Sequence, residues 1–441
     1  MRTVSTSLLA RMIAARLAGH GDGSRADHPG DRRPVVVASG NFASPDVVLG
    51  VVDETVAAYR LFVLNPQAGL PARPGVSQVT PFVGPGARGL ATLEYVPCRL
   101  SLVPRLFAGP YRPDVVVVHT SPPVHGRVSL GTEVNILPAA IEAARASGGL
   151  VVAQLNPDMP YTFGDGELSV DDVDLAVEAQ QPLAHPAVRA GDAVMQAIGA
   201  RVAALVGDGA TLQLGIGAVP NAVLAALSDR RGLRVWTETC SDGVLALEHA
   251  GALDPDTELV TSFLFGSAQL YRWVDRNPRV RLLRTETVND PGRIARRPAM
   301  TSINTALQVD LHAQANASYV RGRIWSGFGG QPDFVAGALH APGGRAVIAL
   351  PSWHAKSDAS TVVASLREPT TSFQHSHIVS EHGTAALWGQ SLQGQAQVLV
   401  SQVADPRARE ELTSEVERWS PAARSGPQTS PSRRAVRGPE G

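Results

Sequence analysis

At 441 residues the chain is long enough for two or three domains, and its composition (44% hydrophobic, 5% aromatic, 42 Gly, 33 Pro) suits a loop-rich α/β protein with ample core. A formal net charge of −1 gives no global attraction to nucleic acid or anionic membrane, so an anionic ligand must be held by local geometry. Two cysteines, Cys98 and Cys240, supply neither a disulfide framework nor a zinc cluster and fit a reducing, cytoplasmic setting.

In the first 20 residues, Leu8, Leu9, Met12, Ile13 and Leu17 recur at helical spacing with Arg11 and Arg16 between them. This predicts a short amphipathic helix packed on the body, not a signal peptide, which needs an uninterrupted apolar stretch. No run of about 18 apolar residues occurs, so no membrane-spanning helix is expected.

Residues 35–37, 115–118, 150–153, 211–214 and 346–350 are short, Val-rich apolar runs without alternation. Such runs are typical of strands in a parallel sheet covered on both faces. Helical patterns at 137–146, 193–205 and 221–227 lie among them, and the alternation predicts an α/β architecture. Residues 35–49 and 212–224 echo each other. Each reads strand, glycine turn, proline near a helix start, apolar helix, as two related halves would; any strand–turn–helix unit would look similar.

Residues 120–131 end a strand in a Pro-Pro turn; His125 there is isolated and reads as structural. Two prolines in residues 181–186 suggest a boundary, giving an N-terminal domain over 1–186 and a C-terminal domain over 187–419.

The motif Gly215-Ile216-Gly217-Ala218-Val219-Pro220 sits between a strand and a helix. Glycines allow close backbone approach, and a helix N-terminus offers free N–H groups to a phosphate or an oxyanion. It lacks the third glycine of the dinucleotide fingerprint, and a plain tight turn is the alternative. Glu238 follows the apolar run 233–236, near a strand's C-terminal end, where α/β sheets bind ligands. A carboxylate there can act as a nucleophile, though judged alone such a residue is more often a solvated loop acid or a helix cap. Cys240 reads as a buried small residue. Gly327, Gly329 and Gly330 crowd a second loop between Ser326 and Gln331, a candidate for close ligand approach. Residues 420–441 are rich in Pro, Ser, Gly and Arg, with Val436 the one apolar side chain larger than alanine, and are expected to form a disordered tail.

In this order the motifs resemble the acetyl-CoA hydrolase and 4-hydroxybutyrate CoA-transferase family. The resemblance rests on Ser121-Pro122-Pro123, Ser129-Leu130-Gly131, Asn156-Pro157-Asp158-Met159-Pro160, the 215–220 turn, Thr237-Glu238, Ser241-Asp242-Gly243, Phe265-Gly266-Ser267, Asn289-Asp290, Ser302-Ile303-Asn304 and Ser326-Gly327-Phe328-Gly329-Gly330. It spans about residues 35–412. It implies two tandem CoA-transferase-type domains, each with an open, mainly parallel sheet, and an active site in the cleft between them. It implies that Glu238 forms a glutamyl-CoA thioester, with Gly215, Ile216, Gly217, Ala218, Val219, Ser326, Gly329 and Gly330 contacting CoA or the reacting carbonyl, and Lys356 near an expected CoA contact. The substrates would be an acyl-CoA and a small carboxylate of the acetate, butyrate or 4-hydroxybutyrate class. Coenzyme A would enter as a thioester substrate, with no bound cofactor, no metal and no nucleic acid or membrane partner, and a homodimer would be possible. The same glutamate would also serve an acetyl-CoA hydrolase, and a non-catalytic ligand-binding protein on this fold is a third reading. The chain departs from the family at its C-terminal end. Ser380-Glu381-His382-Gly383 stands for Thr-Glu-Tyr-Gly, and Thr361, Gln374, Trp388 and Gln390 replace expected basic residues.

Overall fold

A computed structural model describes residues 1–18, 31, 33–185, 191–370 and 374–419. Period-two packing organises the first half. In the strand Val35–Ala38, Val35 and Val37 join one apolar cluster while Val36 and Ala38 join another on the opposite face. A strand that is apolar on both faces must be covered on both, which is why the Val-rich runs sit in the middle of a sheet. That sheet has eight strands. Their order is Arg2–Thr3, Leu175–Glu178, Leu150–Leu155, Val115–Thr120, Val35–Ala38, Tyr59–Val63, Val76–Thr80 and Leu93–Tyr95, every neighbouring pair parallel. The helices Thr6–Leu17 and Asp46–Thr55 cover one face; Leu9 and Ile13 are fully buried, as the N-terminal spacing predicts.

The second half holds a six-stranded sheet ordered Arg234–Val235, Thr211–Leu214, Thr301–Thr305, Arg345–Ala349, His377–Val379 and Thr384–Ala386. Its pairs are parallel except the last. The architecture is the two-domain, mainly parallel α/β arrangement read from the sequence. The proposed boundary at 186/187 and the proposed tail at 420–441 lie outside the described residues.

Both sheets reverse strand order beside the strands of the sequence echo. From Val35–Ala38 the chain runs outward to Tyr59–Val63 and then returns to Val115–Thr120 on the other side. From Thr211–Leu214 it goes to Arg234–Val235 and returns to Thr301–Thr305. A crevice forms at the carboxyl ends of such strands. The larger apolar cluster is continuous across the halves, joining Val37, Phe62 and Val116 to Leu212, Leu224 and Ile303. Backbone pairing adds to this: Phe163–Gly164 lies parallel to Val280–Leu282, and Glu133 bridges Phe263. The two crevices therefore face one shared cleft.

Helix ends differ slightly from the sequence reading. The helix expected at 221–227 is Ala218–Ala226, with Gly217 as its N-cap. Gly217 holds φ +122°, a region L side chains rarely adopt, and this lets the helix start directly after the turn. Residues 137–146 form the helix expected there.

Candidate active site

The cleft holds a cavity of about 220 Å³. From the first half it is lined by Asn41, Leu64, Asn65, Phe82 and Leu100. From the second it is lined by the turn Gly215-Ile216, by Gln213, Glu238, Phe263 and Asn304, and by the loop from Ser326 to Gln331.

Glu238 lies in a bend between Trp236 and the strand Thr239–Ser241. The bend is held on both sides. Thr237 Oγ1 accepts from the Leu214 N–H at 3.2 Å and is 3.0 Å from the Leu214 carbonyl, tying the bend to the glycine turn. The Glu238 carbonyl accepts from the N–H groups of Ser262 and Phe263 at 2.9 and 3.0 Å and from Thr261 Oγ1 at 3.0 Å. With the backbone pinned, the side chain has little freedom except toward the cavity.

The carboxylate meets two groups that the resemblance motifs carry. Asn289 Nδ2 donates to Glu238 Oε2 at 3.0 Å. Gly330, the N-cap of the helix Gln331–His340, approaches so closely that a Cβ there would lie 2.2 Å from Glu238 Oε2. A glycine is needed at that contact for space: its φ of −86° is open to any residue. The partial positive charge at the helix N-terminus favours the ionised acid.

Electrostatics oppose this in part. Desolvation pushes the Glu238 carboxyl up to about 7; the Asn289 hydrogen bond works against the rise, and the negative charge of Asp333 adds to it. Asp333, in the first turn of the helix Gln331–His340, is buried and is itself pushed up to about 6, chiefly by desolvation. Its carboxylate accepts from Ser101 Oγ at 2.9 Å and from the Ser101 N–H at 3.2 Å, a link across the cleft. A carboxylic acid poised near neutrality is suited to nucleophilic work, because its ionised form is both present and basic.

Backbone donors surround it. Among the described residues, no carbonyl accepts from the N–H groups of Gly215, Ile216, Gly217, Gly329 or Gly330. Gly329 holds φ +55° and packs on the Phe82 ring, where a Cβ would be 3.1 Å from ring atoms. Arg88 fastens the loop from the first half: its Nε donates to the Trp325 carbonyl at 2.8 Å and its guanidinium lies 4.1 Å from the Trp325 ring centroid.

Of the residues singled out from sequence, the structure brings Gly215, Ile216, Glu238, Ser326, Gly329 and Gly330 together around one cavity. Gly217, Ala218 and Val219 form the adjoining helix start. Lys356 is exposed in the turn between Trp353–His354 and Ala359–Ser360, and it does not line the cleft. Nor do Thr361, Gln374, Trp388 and Gln390. His125 is exposed at a turn with φ +48°, and Cys240 is buried with its thiol pushed up to about 12 by desolvation; neither lines the cavity. Sequence reasoning did not assign site roles to Asn289, Asp333, Asn41 or Asn65. Asn289 stood in a resemblance motif, and Asp333 lies three residues after Gly330; neither is near Glu238 in the chain.

Family models match in two places: the acetyl-CoA hydrolase/transferase N-terminal domain at residues 88–185 and the C-terminal domain at 266–416. The chain is 38% identical over 335 residues to the 4-hydroxybutyrate coenzyme A transferase of Clostridium kluyveri, covering 73% of this chain and 77% of that one. Among solved structures it is similar to RipA from Yersinia pestis, with a TM-score of 0.82, 27% identity and coverage of 94% and 99%. It is also similar to a 4-hydroxybutyrate CoA-transferase from Porphyromonas gingivalis, with a TM-score of 0.74, 28% identity and coverage of 95% and 97%.

Proposed function

The chain belongs to the acetyl-CoA hydrolase/transferase family, and on that premise we propose that it is a CoA-transferase working through a thioester on Glu238, exchanging CoA between an acyl-CoA and a short monocarboxylate. The observation that carries this reading is the Glu238 carboxylate, pinned by its backbone and facing a cavity rimmed by free N–H groups.

The chemistry balances without an outside energy source. A Glu238 oxygen attacks the thioester carbonyl, the C–S bond breaks, and the CoA thiolate leaves behind an acyl-glutamyl anhydride. The thiolate attacks the glutamyl carbonyl and expels the donor acid, so CoA is now held on Glu238. An acceptor carboxylate attacks this thioester, the thiolate leaves and then attacks the acceptor's acyl carbonyl, and Glu238 is restored as carboxylate. Each tetrahedral centre carries an oxyanion. The N–H groups of the 215–217 turn and of Gly329 and Gly330 are the available donors, each worth roughly 3–4 kcal/mol when aligned on such an oxygen. Asn289 holds the attacking carboxylate in place.

Among the described residues lining the cleft, none is Lys, Arg or His. A second carboxylate on the substrate would be desolvated there without a cationic partner, which favours acids such as acetate, butyrate or 4-hydroxybutyrate over a dicarboxylate. The CoA phosphates lie outside this cavity in the proposal, and Lys356, exposed on its hairpin, remains a candidate contact for them.

Incubation with butyryl-CoA and labelled acetate tests the reading. Labelled acetyl-CoA should form in step with butyrate release, and free CoA should not accumulate when acceptor is absent. Steady CoA release without any acceptor would overturn the transferase reading in favour of hydrolysis.

A further inference from the structure

The cleft has an open end and a closed end. Ile216 is 39% exposed and Trp325, beside Ser326, is 45% exposed, whereas Asn41, Leu64, Asn65, Leu100 and Phe263 are each no more than 8% exposed. A pantetheine arm must come from the open end, because the rest of CoA is too large for the cavity. The chain of a small acid then has only the closed end, where Asn41 and Asn65 offer polar contacts beside Leu64, Leu100 and Phe263, with Gln213 and Thr239 as further buried polar groups of the lining.

Both asparagines are held from behind. Glu133 is 1% exposed and does not line the cleft. Its Oε2 accepts from the Gly40 N–H at 2.6 Å and its Oε1 accepts from Asn41 Nδ2 at 2.8 Å. Asn41 Oδ1 in turn accepts from Asn65 Nδ2 at 2.9 Å. A carboxylate only accepts, so it dictates the orientation of the Asn41 amide, and Asn41 dictates that of Asn65. Both asparagines also hold left-handed backbone, φ +46° and +51°, which leaves little slack in the chain of bonds. Burial of an acid this deep is costly, and desolvation pushes Glu133 up to about 7 despite its hydrogen bonds. Nothing in the transfer chemistry at Glu238 uses it.

We infer that Glu133 is the positioning residue of the acid subsite: through Asn41 and Asn65 it sets the hydrogen-bonding face that meets the substrate acid's chain, and so governs which acids are taken. The inference rests on the transferase reading of the cleft.

The test ranks acceptors. Wild-type enzyme, Glu133→Gln and Glu133→Asp are assayed with acetate, butyrate and 4-hydroxybutyrate, and each is titrated with desulfo-CoA as a dead-end inhibitor. Glu133→Gln places an NH2 group against the Gly40 or Asn41 donors and forces the amides to turn. It should change the kcat/KM ratio between 4-hydroxybutyrate and butyrate at least fivefold, while the inhibition constant of desulfo-CoA stays within twofold. Glu133→Asp, which keeps an acceptor, should retain the wild-type ranking. Asn65→Leu provides a second route that leaves the buried acid intact, and it should re-rank the same pair of acids. An unchanged ranking in Glu133→Gln or Asn65→Leu, or an equal loss toward acids and desulfo-CoA, overturns the inference. Wild-type enzyme that transfers no CoA to any acid would instead overturn the transferase reading itself.

Discussion

Asp333 carries a prediction at the scale of single residues. Its negative charge makes ionisation of Glu238, the proposed nucleophile, harder. The rate of CoA transfer should rise with pH through an inflection near 7, where Glu238 becomes a carboxylate. Asp333→Asn removes the like charge, so the Glu238 carboxyl becomes a stronger acid and the inflection moves to lower pH; a tenfold change in its acidity corresponds to about 1.4 kcal/mol. A pH–rate profile of the acylation half-reaction measures it, and an inflection that stays in place would show that the two acids do not interact. Asn289→Ala should act in the opposite sense. It removes the side-chain hydrogen bond that favours the ionised form, so the inflection should rise and the rate at pH 7 should fall severalfold. Glu238 itself was legible as a carboxylate at a strand end, and the family resemblance marked it as the nucleophile; its surroundings were not legible. Asn289 and Gly330, which meet its carboxyl group, and Asp333, whose charge acts on it, lie about 50 to 95 positions away, and no local pattern encodes that meeting.

Elements set how closely these residues can approach. The N-terminus of the helix Gln331–His340 presses on the carboxylate through a glycine, and the start of the helix Ala218–Ala226 depends on another. Gly330→Ala adds a methyl 2.2 Å from Glu238 Oε2 and 2.4 Å from Asn289 Nδ2. Acylation should fall at least a hundredfold, while overpacking costs only about 1–3 kcal/mol of stability, so a folded but inactive protein is the expected result. Circular dichroism paired with a single-turnover assay checks both halves of that statement. Strands and helices were largely readable, because Val35–Ala38, Val115–Thr120 and Leu150–Leu155 are apolar on both faces and leave few alternatives. Helix starts were less so. The helix at Ala218 begins three residues before the apolar periodicity suggests, because a positive-φ glycine rather than a side-chain cap initiates it.

For the whole molecule, the cleft is a product of two halves joined by specific bonds. Asp333 is tied to Ser101, the Val83 N–H donates to the Ser326 carbonyl, and Arg88 holds Trp325. These contacts join the 325–333 segment to the opposite half, and on the proposed function they would limit water around Glu238. A transferase needs that exclusion, since water competes with the acceptor acid for the glutamyl thioester. Ser101→Ala deprives a buried carboxylate of its hydroxyl donor and should destabilise the closed cleft by about 2 kcal/mol. The expected readout is a larger fraction of turnover lost as free CoA at saturating acceptor; an unchanged partition between transfer and hydrolysis would count against this role. The two-sheet architecture was readable from the strand–turn–helix echo, whereas the facing of the two crevices was not. It arises from the shared apolar cluster and from pairings such as Phe163–Gly164 with Val280–Leu282, which join distant parts of the chain.

The central claim is that Glu238 carries the CoA. Enzyme incubated with acyl-CoA in the absence of acceptor, treated with borohydride, digested and read by mass spectrometry tests it most directly. The glutamyl thioester should be reduced, leaving Glu238 as the corresponding alcohol in the peptide that contains it, and Glu238→Ala should show neither the modified peptide nor turnover. An unmodified Glu238 peptide together with full activity of Glu238→Ala would contradict the account.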